Sequence, residues 1–257
     1  MPVAPWESLA IVSNNSDLSL VSSRATEESR DLQSGDSFVG NFGDNVTMKK
    51  DNSLRIGFQN VGGLPARRGK IKDDAFRYAL FKWDFDIFRV AETNVDWHVV
   101  KEEDRLPNRT KEWWEQQHAS WSHNRMATPA QPKQFGGIAL FLVNKAAHRA
   151  VEKGHDKSNL GRWAWTQYKG KGNQTFWIIV AYCPNPSQGP YTVYAQQNAY
   201  FNSIGRDICP RHTFLLDLIE EITNALKQGD YIMVLLDGNS NMKGSDIARA
   251  FQRLSLR

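Results

Sequence analysis

An amphipathic stretch from His212 to Gln228 runs through Gly229 into six consecutive apolar residues, Tyr231–Leu236, and then into the polar segment DGNSN, Asp237–Asn241. Phe214, Leu215, Leu218, Ile219, Ile222 and Leu226 recur at helical spacing, so one face of this helix is apolar, and Gly229 supplies a stop. A strand that is apolar at every position is predicted to be buried on both faces. A helix feeding such a strand restricts the chain to layered α/β architectures.

The rest of the pattern fits that class. Leu54–Val61, Phe85–Ala91, Trp121–Met126, Gly137–Val143, Arg162–Tyr168 and Thr175–Tyr182 are predicted strands. Lys70–Phe81, Thr110–His118, Thr192–Ile204 and Gly244–Leu254 are predicted helices. Several consecutive strands in the middle predict paired sheets, not a simple doubly wound one. Residues 1–50 differ, with nine Ser, four Asn and no sustained period. Such a stretch buries too little apolar surface to offset its chain entropy, and is predicted to be a disordered leader. Residues 51–257 are then the folded domain. The leader holds four Lys/Arg against seven Asp/Glu, whereas the remainder carries 28 against 21. That basic excess suits a polyanionic partner.

Other classes are excluded by what the chain contains. Two cysteines, Cys183 and Cys209, make neither a disulfide framework nor a zinc finger. The longest apolar run, Phe176–Cys183, is far short of the ~20 residues that span a bilayer. The first residues show no basic stretch before an apolar core, so the expectation is a soluble protein of nucleus or cytoplasm, not secreted and without a membrane partner. Val61–Ile71 is too long between glycines for a phosphate loop, and Ile71 stands where the magnesium-binding hydroxyl belongs. Asp237, Asn239 and Asn241 open like a calcium loop, but Met242 and Ala248 break it. The six histidines show no HExxH pairing and are expected mostly on solvated surface.

Four polar residues stand at predicted strand ends: Asn60, Glu92, Tyr182 and Asp237, with Asn239 two residues beyond the last. Sites in layered α/β folds gather there, because the sheet is rigid and the loops are open. A carboxylate at the end of a buried strand needs a partner, often a metal. Magnesium takes oxygen ligands, keeps several waters and uses one or two carboxylates, so Glu92 is a candidate ligand. Asp237 and Asn239 are spaced to point into one cleft, the carboxylate to deprotonate a water and the amide to hold a phosphate oxygen.

Five segments in order carry a resemblance. IGFQNVGGL (Ile56–Leu64), DFDIFRVAET (Asp84–Thr93), FGGIALFL (Phe135–Leu142), VAYCPN (Val180–Asn185) and LLDGNSN (Leu236–Asn241) resemble the motifs of the endonuclease/exonuclease/phosphatase superfamily. The nearest subgroup is the endonuclease domains of non-LTR (LINE-type) retrotransposons. The resemblance implies a four-layer α/β sandwich of two packed β-sheets flanked by helices. It also implies Mg2+- or Mn2+-dependent cleavage of phosphodiesters, most simply as a DNA endonuclease. Carried over, Glu92 is the metal ligand and Asn60 lies in the metal and phosphate site. Tyr182 contacts the phosphate, Asp237 activates the attacking water and Asn239 orients the scissile group. A reverse transcriptase domain is expected in a longer parent.

Two departures accompany the match. Leu236 precedes the aspartate where the family has glycine, and Arg89 interrupts a strand that is usually apolar. The family continues beyond this loop to further strands and a Ser-Asp-His motif, whereas this chain ends at Arg257. The domain is therefore expected to be C-terminally incomplete and its activity impaired. Alternatives are an inactive nucleic-acid-binding module, or a phosphatase or phosphodiesterase acting on small phosphate esters.

Overall fold

A computed structural model of the chain describes residues 11–12, 48–50, 53–67, 69, 71–126, 133–172, 174–187, 189–240, 244–254 and 256. Apart from 11–12 and 48–50, the expected leader lies outside the described residues. The first sheet contains β1 (Ile11–Val12), β2 (Leu54–Asn60), β3 (Ile87–Ala91), β4 (Gln117–Ser122) and β5 (Ile138–Val143), in the order β1-β2-β3-β5-β4. The second contains β6 (Ala150–His155), β7 (Trp163–Lys169), β8 (Thr175–Tyr182) and β9 (Tyr231–Asp237), in that order. β2 and β3 run parallel, as do β8 and β9, while β3–β5, β4–β5, β6–β7 and β7–β8 are antiparallel.

The sheets pack face to face. Residues alternate across each strand, so Ile56, Ile87, Ala91, Ile138, Leu140 and Leu142 meet Ile178, Val180 and Tyr182 in one buried cluster. The opposite face of the first sheet, with Phe88, Val90, Phe141 and Val143, is covered by Phe76 and Leu80 of α1 (Ile71–Lys82) and by Trp114. Trp114 follows α2 (Leu106–Lys111), which carries Pro107 in its first turn and ends before the strand Gln117–Ser122. On the far side of the second sheet lie α3 (Val193–Ser203), α4 (Pro210–Lys227) and α5 (Asp246–Arg253). Phe214, Leu218, Ile222 and Ala225 of α4 are fully buried, and Phe214 meets Trp163 edge to face. Burying each of the three larger side chains contributes roughly 1.5–3 kcal/mol, and Ala225 about 0.8 kcal/mol. The result is the expected α/β sandwich of two packed sheets between helical layers.

Three expectations need correction. β9 is not buried on both faces: all its residues are half-buried or exposed, because it is the edge strand of its sheet and pairs only with β8. Of the helix expected over Thr110–His118 only Thr110 and Lys111 are helical, as the end of α2, with strand from Gln117; the strand expected at Trp121–Met126 begins earlier, at Gln117, and ends at Ser122. β6 was not anticipated, since AVEKGH holds one apolar side chain larger than alanine; its pairing with β7 makes it a strand.

Candidate metal and phosphate site

Register places the polar strand ends together. Asn60 pairs with Ala91, so the ends of β2 and β3 are adjacent and Glu92 follows directly. Tyr182 pairs with Asp237 at the ends of β8 and β9. Across the gap between the sheets, Asn60 Nδ2 donates to Asp237 Oδ2 at 3.1 Å. The Tyr182 hydroxyl lies close enough to the Glu92 carboxylate and the Asn239 side chain for both to shift its pKa. All five residues singled out in the sequence therefore meet in one place.

The loops hold them there. Asn60 Oδ1 accepts from the Gly62 amide at 3.1 Å, which fixes the flip of the Asn60 side chain. Gly63 adopts φ +104° and donates its N–H to the Glu92 carbonyl at 2.7 Å, a conformation in which a side chain would be strained. Glu92 itself sits at φ +54° and Asn239 at φ +44°. Asparagine tolerates this region, whereas glutamate has no local compensation and stores strain of about 1–3 kcal/mol. Asn239 Nδ2 donates to the Cys183 carbonyl at 2.8 Å, and its backbone N–H to Asp237 Oδ1 at 3.3 Å. Among the described residues, Asp237 thus accepts one side-chain or backbone donor on each oxygen, leaving a lone pair on both.

Electrostatics distinguish the groups. Burial, then the charge of Glu92, holds the Tyr182 phenol far above its ordinary pKa, so it is a hydrogen-bond donor and not a phenolate. Burial likewise pushes the Cys183 thiol up to about 11, which makes it unreactive packing. Arg89, the residue that interrupts the third strand, lies between the sheets and is 1% exposed. Its Nη2 donates to the Ala181 carbonyl, and its guanidinium stacks 3.6 Å from the Phe58 ring centroid. Burial lowers its pKa to about 9, partly countered by the charge of Asp237. A cation therefore stands beneath the site aspartate. Arg211 was missed in the sequence: it donates to the carbonyls of Pro184 at 2.7 Å and Gly238 at 3.2 Å, clamping together the two loops that carry the site. A basic residue directly after the Cys-Pro that starts α4 was the available signal.

The donor set is hard. Glu92 and Asp237 supply carboxylates and Asn60 an amide oxygen; among the described residues no three His, Cys, Asp or Glu cluster as a metal cage. One or two carboxylates plus an amide suit a water-rich ion such as Mg2+ or Mn2+, and do not suit Zn2+ or an eight-coordinate Ca2+. Asn241, beside the site in sequence, lies outside the described residues.

No family description and no curated protein matches this sequence. Solved structures to which the chain is similar include the human Nocturnin catalytic domain with bound sulfate, at 13% identity and TM-score 0.48, covering 77% of this chain and 68% of that one. Another is the 3′ phosphatase NExo from Neisseria bound to a product DNA hairpin, at 14% identity, TM-score 0.49 and coverage of 79% and 70%. A third is an AP endonuclease from Archaeoglobus fulgidus, at 14%, 0.47, 79% and 70%. At these identities and scores none of them assigns an activity to the chain.

Proposed function

We propose that the chain is a divalent-metal-dependent phosphodiester hydrolase acting on DNA, of the retrotransposon endonuclease type. The observation that carries this reading is the meeting of Asn60, Glu92, Tyr182, Asp237 and Asn239 where the two sheets close on each other. The basic balance of residues 51–257 supports a polyanionic substrate. The five ordered sequence segments support a parent protein that also carries a reverse transcriptase domain.

In this reading Glu92 and Asn60 Oδ1 hold Mg2+ or Mn2+, which supplies charge neutralisation at the phosphate oxygens. Asp237 accepts a proton from water through the lone pairs left free by Asn60 and Asn239. The water oxygen bonds to phosphorus, the bond to the leaving sugar oxygen breaks, and that oxygen takes up a proton from solvent water, while Asp237 later gives its proton back to solvent. The neutral Tyr182 hydroxyl and the Asn239 amide donate to the phosphate oxygens, where negative charge grows. Fixed donors stabilise that charge without reorganising, which is why a rim of rigid strand ends suits the task.

The test is a substrate panel with Mg2+ or Mn2+: supercoiled plasmid, an abasic duplex, an inositol phosphate and bis(4-nitrophenyl) phosphate. The expected result is plasmid nicking that excess EDTA abolishes and that Asp237→Ala lacks. Nicking that persists in EDTA contradicts the metal assignment. Hydrolysis of the inositol phosphate alone favours a small-ester phosphodiesterase, and tight DNA binding without turnover favours a binding module.

A further inference from the structure

Two strands away from this site, on the same rim, lies a pocket of about 460 Å³ that the mechanism does not use. Ala91 and Ser122 both pair with Ile138, so Glu92 and His123 each stand one residue beyond the same row of the sheet. Two inter-strand spacings separate them by about 10 Å. That is roughly three base steps of a duplex at 3.4 Å per step.

The pocket is cationic and aromatic. Arg105, Arg125 and Lys153 line it with Trp97, Trp121 and three histidines, and none of the described lining residues is acidic. His123 is the exception to the expectation of solvated histidines: its side chain is 8% exposed. Its Nε2 is buried and has no hydrogen-bond partner among the described residues; the nearby Asp96 Oδ1 is 4.0 Å away and accepts from the His98 N–H. Burial and the neighbouring His98 keep this imidazole neutral, so it offers one directed polar atom while the arginines supply charge. Arg105 Nε is a second buried atom with no hydrogen-bond partner among the described residues. A buried polar atom facing a cavity is costly unless a ligand or water completes it. Trp121 remains 36% exposed, with Lys153 Nζ 5.4 Å from its ring centroid.

We propose that this pocket is a second phosphate station for the DNA strand, holding a phosphate on Arg105, Arg125 and His123 Nε2 and the adjoining nucleotide against Trp121. The assignment rests on the phosphodiester-hydrolase reading above. Cations that track the backbone beside an aromatic platform are how proteins grip a nucleic-acid strand without reading its sequence. Such a station would set where the scissile bond falls relative to Asp237.

The experiment uses the full chain carrying Asp237→Ala, so that binding is measured without cleavage. Affinity for a fluorescein-labelled DNA duplex is followed against salt, with and without the added pair Arg125→Ala and Trp121→Ala. The expected result is about tenfold weaker binding and a salt slope shallower by about one, with an unchanged thermal midpoint. Ultraviolet cross-linking of a bromodeoxyuridine-substituted duplex in the unmutated pocket should label the peptide containing Trp121 and His123. Equal affinity and equal slope in both proteins would overturn the pocket assignment and leave the hydrolase reading standing. Absence of DNA binding by the Asp237→Ala chain would overturn it too. Hydrolysis of bis(4-nitrophenyl) phosphate by the wild-type chain then shows whether the hydrolase reading has fallen with it.

Discussion

Asn60 and Asp237 are 177 positions apart, yet the Asn60 amide donates to Asp237 Oδ2 at 3.1 Å, joining the last residue of β2 to the last residue of β9. This bond ties one sheet to the other at the site and, with the Asn239 N–H on Oδ1, fixes the orientation of the Asp237 carboxylate. Asn60→Ala removes that donor and one oxygen from the proposed metal and phosphate site. Turnover on plasmid DNA should fall about 10²-fold, with little change in KM. An Asn60→Ala protein with wild-type turnover would separate this bond from catalysis.

The backbone of Glu92 sets a different test. At φ +54° any residue with a Cβ is strained, so Glu92→Ala and Glu92→Gly lose the same carboxylate but only the second relieves the strain. Urea unfolding should show Glu92→Gly more stable than Glu92→Ala by about 1 kcal/mol, with both inactive. Equal stability would mean that the strain is not there.

Arg89 lies between the sheets with one hydrogen bond to Ala181 and its Nε and Nη1 without partners among the described residues. Arg89→Ala leaves a cavity and should cost about 3 kcal/mol. Arg89→Met fills most of the volume and removes the unpaired donors, so it should cost clearly less. Because it also removes the cation beneath Asp237, its activity should fall about tenfold although it folds. Arg89→Met as unstable as Arg89→Ala would show that the charge, and not the packing, holds the sheets.

Acid sensitivity follows from His123. Burial lowers its pKa to about 4 in the fold, against an ordinary value near 6.5. Between those values the unfolded chain binds the extra proton and the folded chain does not, so stability rises with pH and is lost as pH falls from 6.5 toward 4. The contribution is on the order of 3 kcal/mol. His123→Gln cannot titrate, and its urea midpoint should change less than the wild type's between pH 7.5 and pH 4.5. Parallel pH profiles for the two proteins would contradict this.

What was legible in the sequence was local. The periodicity of Thr175–Tyr182 gave β8 at its observed bounds, and the six apolar residues after Gly229 gave a strand that ends at the site. The burial of β9 was not legible, because which strand lies at a sheet edge depends on pairing partners far away in sequence. β6 escaped because Glu152 and Lys153 both fall within a strand held by its neighbour. The five residues proposed for the site were singled out from their positions at strand ends and from the resemblance, and they lie together. Their hydrogen bonds across the two sheets, the positive φ of Glu92 and the clamp made by Arg211 are products of the tertiary packing. His123 looked like any surface histidine; only the closing of the β4 and β6 edges over it buries the ring.

Manganese binding measured by electron paramagnetic resonance tests the account at its root, since it needs no substrate and no turnover. The wild-type chain should bind Mn2+ with an affinity that Glu92→Gln weakens about 10–100-fold, while both proteins keep the same far-ultraviolet circular dichroism. Equal Mn2+ affinity in the two proteins would show that Glu92 is not a ligand and that the cluster of strand-end residues is not a metal site.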